Sequence, residues 1–199
     1  MKIVALSGSQ REKGFNNLLI EKFIEEYRGY CADVQLNVLQ AGTLELAPCR
    51  VDCPQLCKQK AFQCVLKDDI QQVVSELRSA DAVIIASPLY IKIPAAMNTL
   101  LERLVALAFS AETASLGPSI FDGTPCLLFA MAEYTDPKII LQHLQDVALV
   151  LKMEPIHLKS YPYLGVGGIG DIGQKPSTGP LAPFEQIKLM AKTLAKRGR

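Results

Sequence analysis

At 199 residues and 49 % hydrophobic content, the chain is long enough to bury the core of one α/β unit. Lys and Arg number 21 against 20 Asp and Glu, leaving a net charge of +1, and no basic run interleaves with aromatics, which excludes a nucleic-acid reader. No apolar stretch has the length of a membrane helix, and the opening apolar run breaks at Ser7-Gly8-Ser9, so a cytoplasmic protein with no membrane partner and reduced thiols is expected.

The run Lys2-Ile3-Val4-Ala5-Leu6 predicts a buried first strand over 2–6. A helix is expected from Asn16 or Asn17, both good N-caps, because Leu19, Ile20, Phe23, Ile24 and Tyr27 then recur at helical spacing. Residues 34–39 alternate with period two, which predicts a half-buried or edge strand. Residues 42–66 have no period and hold four cysteines. Asp68 or Asp69 is placed to cap a second helix with Ile70, Val73, Val74 and Leu77 inward. A third strand is expected over 82–86. The third helix is expected from about Pro94, with Met97, Leu100, Leu101, Leu104 and Val105 inward. A fourth strand covers 125–130. Asp136-Pro137 then opens a helix with Ile139, Ile140, His143, Leu144 and Val147 on one face. A fifth strand is placed near 155–159, residues 161–183 are rich in Gly and Pro, and a last helix carries Phe184, Ile187 and Leu194. Its basic end, with Lys192, Lys196, Arg197 and Arg199, suits a helix C-terminus.

Strands alternating with helices at this spacing predict a βαβ series and a parallel sheet in one domain over 1–199. Right-handed crossovers leave two common strand orders, of which 2-1-3-4-5 is preferred. With that order, the loops after the first and third strands flank a topological switch point, where open α/β sheets bind nucleotide-like ligands. The first loop, Ser7-Gly8-Ser9-Gln10-Arg11-Glu12-Lys13-Gly14-Phe15-Asn16-Asn17, offers hydroxyl, guanidinium and amide donors ahead of a helix N-terminus, a good setting for phosphate. It holds neither G-x-G-x-x-G nor Gly-Lys-Ser/Thr, so it suits a terminal monophosphate rather than a dinucleotide or triphosphate. The second loop, Ser87-Pro88-Leu89-Tyr90, can frame a flat ring. Together they indicate a phosphorylated planar cofactor, and FMN fits best.

Four segments carry a family resemblance: Ile3-Val4-Ala5-Leu6-Ser7-Gly8-Ser9-Gln10-Arg11, Lys67-Asp68-Asp69-Ile70, Ala80-Asp81-Ala82-Val83-Ile84-Ile85-Ala86-Ser87-Pro88-Leu89-Tyr90 and Leu101-Glu102-Arg103. Over roughly residues 1–150 the chain resembles the NADPH-dependent FMN reductase family of the flavodoxin-like superfamily. The resemblance implies a three-layer sandwich, a five-stranded parallel sheet with helices on both faces. It also implies FMN phosphate on Ser9, Arg11 and Asn16 or Asn17, and the flavin ring on Pro88, Leu89, Tyr90 and Ile91. The loop after the fourth strand, Met131-Ala132-Glu133-Tyr134, would line the ring as well. The implied activity is an NAD(P)H-dependent oxidoreductase of the flavin or quinone reductase type, moving hydride from nicotinamide to FMN and on to a small-molecule acceptor. The flavin carries that chemistry and no acid–base dyad is needed. A flavodoxin-type carrier without reductase activity is the alternative, against which the near-neutral charge argues, since carriers use a charged docking face. An iron–sulfur flavoprotein is another.

That last alternative rests on Cys49, Cys53, Cys57 and Cys64, four thiols that could hold zinc or a cluster. Their gaps of three, three and six residues are wider than the two-residue gaps of the iron–sulfur relatives, so no metal is expected. Gly168-Ile169-Gly170-Asp171-Ile172-Gly173 matches a dinucleotide motif but is not followed by a helical pattern, and reads as a loop near the site. His143 reads as a packed helix residue and Cys126 as core. Residues 104–109 are apolar on every helical face, which predicts burial against a second copy, and relatives of this kind form dimers or tetramers.

Overall fold

The computed structural model describes residues 1–50, 53–133, 135–170 and 183–197. The first three strands are β1 (Lys2–Ser7), β2 (Gln35–Gln40) and β3 (Ala82–Leu89), followed by β4 (Pro125–Ala132), β5 (Glu154–Pro155) and β6 (Val166–Ile169). The helices are α1 (Phe15–Arg28), α2 (Ile70–Arg78), α3 (Ala95–Thr113), α4 (Lys138–Val150) and α5 (Pro183–Arg197). All pairings are parallel, in the order β2-β1-β3-β4-β5. The chain steps from β1 to β2 on one side and crosses back to β3 on the other, so the switch point lies between β1 and β3, as expected.

The fifth position of the sheet is split. β5 pairs only with the start of β4, at Pro125 and Cys126, whereas β6 pairs with its end, from Phe129 to Ala132. A continuous strand over 155–159 is therefore replaced by two short ones, and the Gly/Pro-rich region contributes a strand of its own. Gly165 explains why that strand can approach β4: a Cβ there would lie 2.1 Å from the Leu128 carbonyl oxygen.

Alternation along the inner strands sorts the core into two layers. Val4, Leu6, Val83, Ile85, Leu128 and Ala130 face α2, α3 and α4, while Ile3, Ala5, Ile84, Ala86, Leu127 and Phe129 face α1 and α5. The predicted inward stripes of α1 and α2 are all buried. β2 is the edge strand, and Val38 on it is exposed. No helix among the described residues is long and apolar enough to cross a membrane.

Several local expectations are corrected. α1 begins at Phe15, so Asn16 and Asn17 lie inside its first turn and Gly14 is the cap, with no side-chain hydrogen bond. Asp69 caps α2 without using its carboxylate, which accepts the Glu45 N–H at 2.7 Å instead. Pro94 is the residue before α3 rather than its first turn. On α3, Leu104, Leu107 and Ala108 are buried while Val105 is only half-buried and Phe109 is 61 % exposed. On α4 the buried stripe is Ile140, Leu141, Leu144, Val147 and Ala148. Ile139 and His143 point outward, since the helix meets the sheet about one residue further round than its apolar pattern suggests.

Candidate cofactor site

The carboxyl edge of the sheet opens into a cleft lined by Ser9, Arg11, Gly14, Phe15, Asn16, Pro88, Leu89, Tyr90, Met131, Ala132, Glu133 and Gly170. The loop after β1 meets the last residues of β3 and β4 there, both strands running past the expected ends at 86 and 130, because the register sets Ser7 beside Ala86 and Pro88 beside Met131.

The first wall is the loop after β1. Gly8 donates its N–H to Ala86 at 2.8 Å, and a Cβ on it would lie 3.0 Å from Met97 and 3.2 Å from Ser87 Oγ, so only glycine lets the loop leave β1 this close to β3. Ser9 Oγ donates to the Arg11 carbonyl at 2.8 Å and accepts from the Arg11 N–H at 3.2 Å, closing a tight turn. Asn17 buttresses it: Nδ2 donates to Glu12 O at 2.9 Å and Arg11 O at 3.3 Å, while Oδ1 accepts from Ser7 Oγ at 2.5 Å. Gln40 Nε2, from the end of β2, donates to Ser9 O at 2.8 Å. Gly14 packs against this turn so closely that a Cβ would sit 2.0 Å from Ser9 Oγ.

Asn16 is different. It is 2 % exposed, it lines the cleft, and its Oδ1 is buried with no hydrogen-bond partner. A buried orphan amide costs about 1–3 kcal/mol unless something completes it. The first N–H groups of α1 stand beside it, and helix geometry leaves them without intrahelical acceptors. Asn16 therefore faces the cleft while Asn17 holds the loop together, which separates two positions the sequence left equivalent.

The second wall is Pro88, Leu89 and Tyr90. Pro88 and Leu89 are buried, and Tyr90 is 45 % exposed, its ring available at the mouth. Ile91 is not part of the cleft: it is 94 % exposed and lines a neighbouring groove. The third wall is Met131, Ala132 and Glu133, and Tyr134 lies outside the described residues. Gly170 completes it by donating its N–H to Ala132 O at 2.9 Å. Sequence reasoning did not assign Gly14, Phe15 or Gly170 to the cleft. Gly170 does belong to the glycine-rich motif: Gly168 and Ile169 form the end of β6, and residues 171–173 lie outside the described residues. Phe15 stacks on Phe184 of α5, with ring centroids 6.3 Å apart and planes at 21°. That contact ties the first wall to the C-terminal helix.

The four-cysteine segment lies elsewhere, packed on α3. Cys49, Cys53, Cys57 and Cys64 are half-buried, and among the described residues no three His, Cys, Asp or Glu side chains stand close enough to share a metal ion. The segment is organised instead by Arg103, which is 1 % exposed. Its Nη1 donates to Asp68 Oδ2 at 2.6 Å and Ala47 O at 2.5 Å, and its Nη2 donates to Cys64 Sγ at 3.2 Å and Asp68 Oδ1 at 3.3 Å. Burial works to raise the Asp68 carboxyl, but hydrogen bonds from Arg103, Ala47 and Ile70 outweigh it and hold it below its ordinary value. Cys126 is buried mid-strand, where desolvation pushes its thiol up and keeps it inert. His143 is exposed and far from a packed role.

The NADPH-dependent FMN reductase family matches residues 1–161. An iron–sulfur flavoprotein of Methanosarcina thermophila is 33 % identical over 110 residues, covering 54 % of this chain and 54 % of that one. Another, from Methanocaldococcus jannaschii, is 27 % identical over 104 residues, covering 52 % and 51 %. The match thus spans about half the length of these curated relatives. Among solved structures, RosB with bound 8-demethyl-8-formylriboflavin-5'-phosphate is similar at a TM-score of 0.67, with 15 % identity over 98 % of this chain and 78 % of that one. An NADH:FMN oxidoreductase in apo form is similar at 0.63, with 14 % identity over 98 % and 89 %. At such identities the structures establish a shared flavodoxin-like fold. The match over residues 1–161 goes further: the chain belongs to the NADPH-dependent FMN reductase family.

Proposed function

We propose that the cleft holds FMN and that the protein is an NAD(P)H-dependent oxidoreductase acting on a small acceptor. The observation that carries this reading is the orphaned Asn16 Oδ1, an acceptor buried in the cleft between a serine–arginine turn and a helix N-terminus. Asn16 Oδ1 can only accept, so a hydroxyl of the ribityl chain completes it, while the phosphate itself would sit on N–H donors. Ser9 and Gly14 keep the turn compact so that α1's free N–H groups and Arg11 converge on one phosphate. Pro88, Leu89 and Met131 give the ring an apolar bed, and Tyr90 closes one side of the mouth. The chemistry that a bound FMN would supply is two-electron transfer between a reduced nicotinamide and the acceptor. The protein's part is to fix the phosphate, orient the ring and keep water from its buried edge.

A second copy fits the same account. Phe109, exposed on α3, and half-buried Val105 and Ala106 form an apolar strip suited to a symmetric partner.

The names of the two curated relatives, together with the four cysteines, favour a second reading in which a cluster works with the flavin. Against that reading stands the arrangement of the described residues, where no three metal-ligating side chains are gathered and Cys64 Sγ accepts N–H groups from Arg103 and Leu66. Anaerobic spectra of FMN-loaded protein test both readings. Bleaching of the flavin bands by NADPH or NADH supports the reductase. Flavin that stays oxidised with both nicotinamides refutes it, and broad iron–sulfur absorption supports the second reading.

A further inference from the structure

Beside the cleft, across Leu89, runs a larger groove of 520 Å³ that the cofactor reading does not use. It lies between the loop after β3 and the first turns of α3 and α4, with Ile91, Lys92, Ile93, Asn98, Ile139 and His143 among its walls. Its volume is that of a small-molecule site, and most of its walls are apolar. Two of the largest apolar side chains on it, Ile91 and Ile139, are 94 % and 62 % exposed and offer apolar surface on facing walls. The polar groups are few and of one character. Lys92, Asn98 and His143 have no side-chain hydrogen bond or ion pair among the described residues, and no carboxylate lines the groove. The facing carboxylates belong to neighbouring turns. Asp136, before α4, accepts from Tyr161 and from the Lys138 N–H, Asp146 accepts from Gln142, and Glu102 stands one turn beyond Asn98.

We infer that this groove binds a flat apolar molecule carrying an anionic substituent, an aromatic sulfonate or carboxylate, with the ring on Ile91, Ile93 and Ile139 and the anion on Lys92. The inference rests on the reading of the adjoining cleft only for its purpose: Leu89 is shared by both sites, so a ligand here stands one side chain from the proposed flavin. A quinone of this class would take two electrons and two protons from the reduced flavin, leaving as the quinol and restoring oxidised flavin. The apolar walls supply affinity, and Lys92 supplies the choice between charged and neutral rings.

The test is equilibrium binding of 1,4-naphthoquinone-2-sulfonate and of menadione, its neutral 2-methyl counterpart, by calorimetry at low ionic strength, with and without FMN. The wild type is expected to prefer the sulfonate by about five-fold, the worth of one exposed ion pair. Lys92→Gln should erase that preference without changing menadione affinity, and Ile139→Ser should weaken both ligands. FMN titration of the same variants should be unchanged. Failure of the wild type to bind FMN would end the cofactor reading, while groove binding in FMN-free protein would still stand or fall separately. A preference that survives Lys92→Gln, sulfonate that competes with FMN, or binding that disappears as the protein self-associates would each overturn the proposal, the last by showing that a second copy fills the groove.

Discussion

Arg103→Met is the perturbation whose cost the structure fixes most firmly. The side chain is of similar length, so the change removes charge and donors while leaving most of the volume filled. Four hydrogen bonds disappear, two of them to Asp68 and one to the Ala47 carbonyl. The Asp68 side chain is only 10 % exposed, so its carboxylate is left buried without its counter-ion. Removing one partner of such a pair costs about 3–5 kcal/mol. For a chain of this size that lowers Tm by roughly 6–20 °C. Urea unfolding followed by circular dichroism measures the difference directly. Adding Asp68→Asn to Arg103→Met should recover stability rather than lose more, because the orphan charge is gone. The pair also has a pH signature. Asp68 is depressed in the folded state, so its contribution is complete above the unfolded carboxylate range, at about pH 4, and is lost as pH falls through the folded value. The stability gap between wild type and Asp68→Asn should be constant near neutrality and close below about pH 4. An Arg103→Met cost under about 1 kcal/mol, or a double variant weaker than the single, would refute the reasoning.

Other outcomes follow from the same geometry. Gly14→Ala should weaken FMN at least about ten-fold, because its Cβ would sit 2.0 Å from Ser9 Oγ and force the turn open; isothermal titration checks it. Phe109→Glu should reduce the light-scattering mass toward one 21.8 kDa chain without lowering Tm, since the ring is 61 % exposed, and an unchanged mass would remove α3 from the interface. Anaerobically purified protein should contain iron and sulfide well below one cluster per chain, and stoichiometric amounts abolished by Cys53→Ser would restore the iron–sulfur reading.

The strands and helices were legible from apolar runs and period, and the sheet order from crossover rules that left two candidates, of which the preferred one is observed. Ile3, Val4, Ala5 and Leu6 form an unbroken apolar run, and Leu19, Ile20, Phe23, Ile24 and Tyr27 fall on one helical face. The cleft was legible for a different reason: loops after adjacent parallel strands must meet at the same edge. What the sequence did not show depends on contacts between distant residues. Asn16 and Asn17 are chemically identical, and only Ser7, Arg11 and Glu12 decide which one is spent on the loop. His143 sits among apolar neighbours in sequence, yet α4's rotation on the sheet turns it outward with Ile139. Arg103 was recognised as part of a motif, but nothing local marks it as the buried anchor of a segment 35 residues away at Asp68. Ile91 follows Tyr90 directly, and the chain's turn after β3 carries it out of the cleft into the next groove.

Flavin titration with and without Arg11 tests the central claim most directly. Apo-protein is titrated with FMN and with riboflavin, following quenching of flavin fluorescence, in wild type and in Arg11→Ala. FMN should bind at micromolar protein. Arg11→Ala should weaken it by about ten-fold or more, the loss of a charge-assisted phosphate contact, while leaving riboflavin unchanged. An absence of flavin binding, or an equal loss for both ligands, would contradict a phosphate-holding loop at Ser9, Arg11 and Asn16.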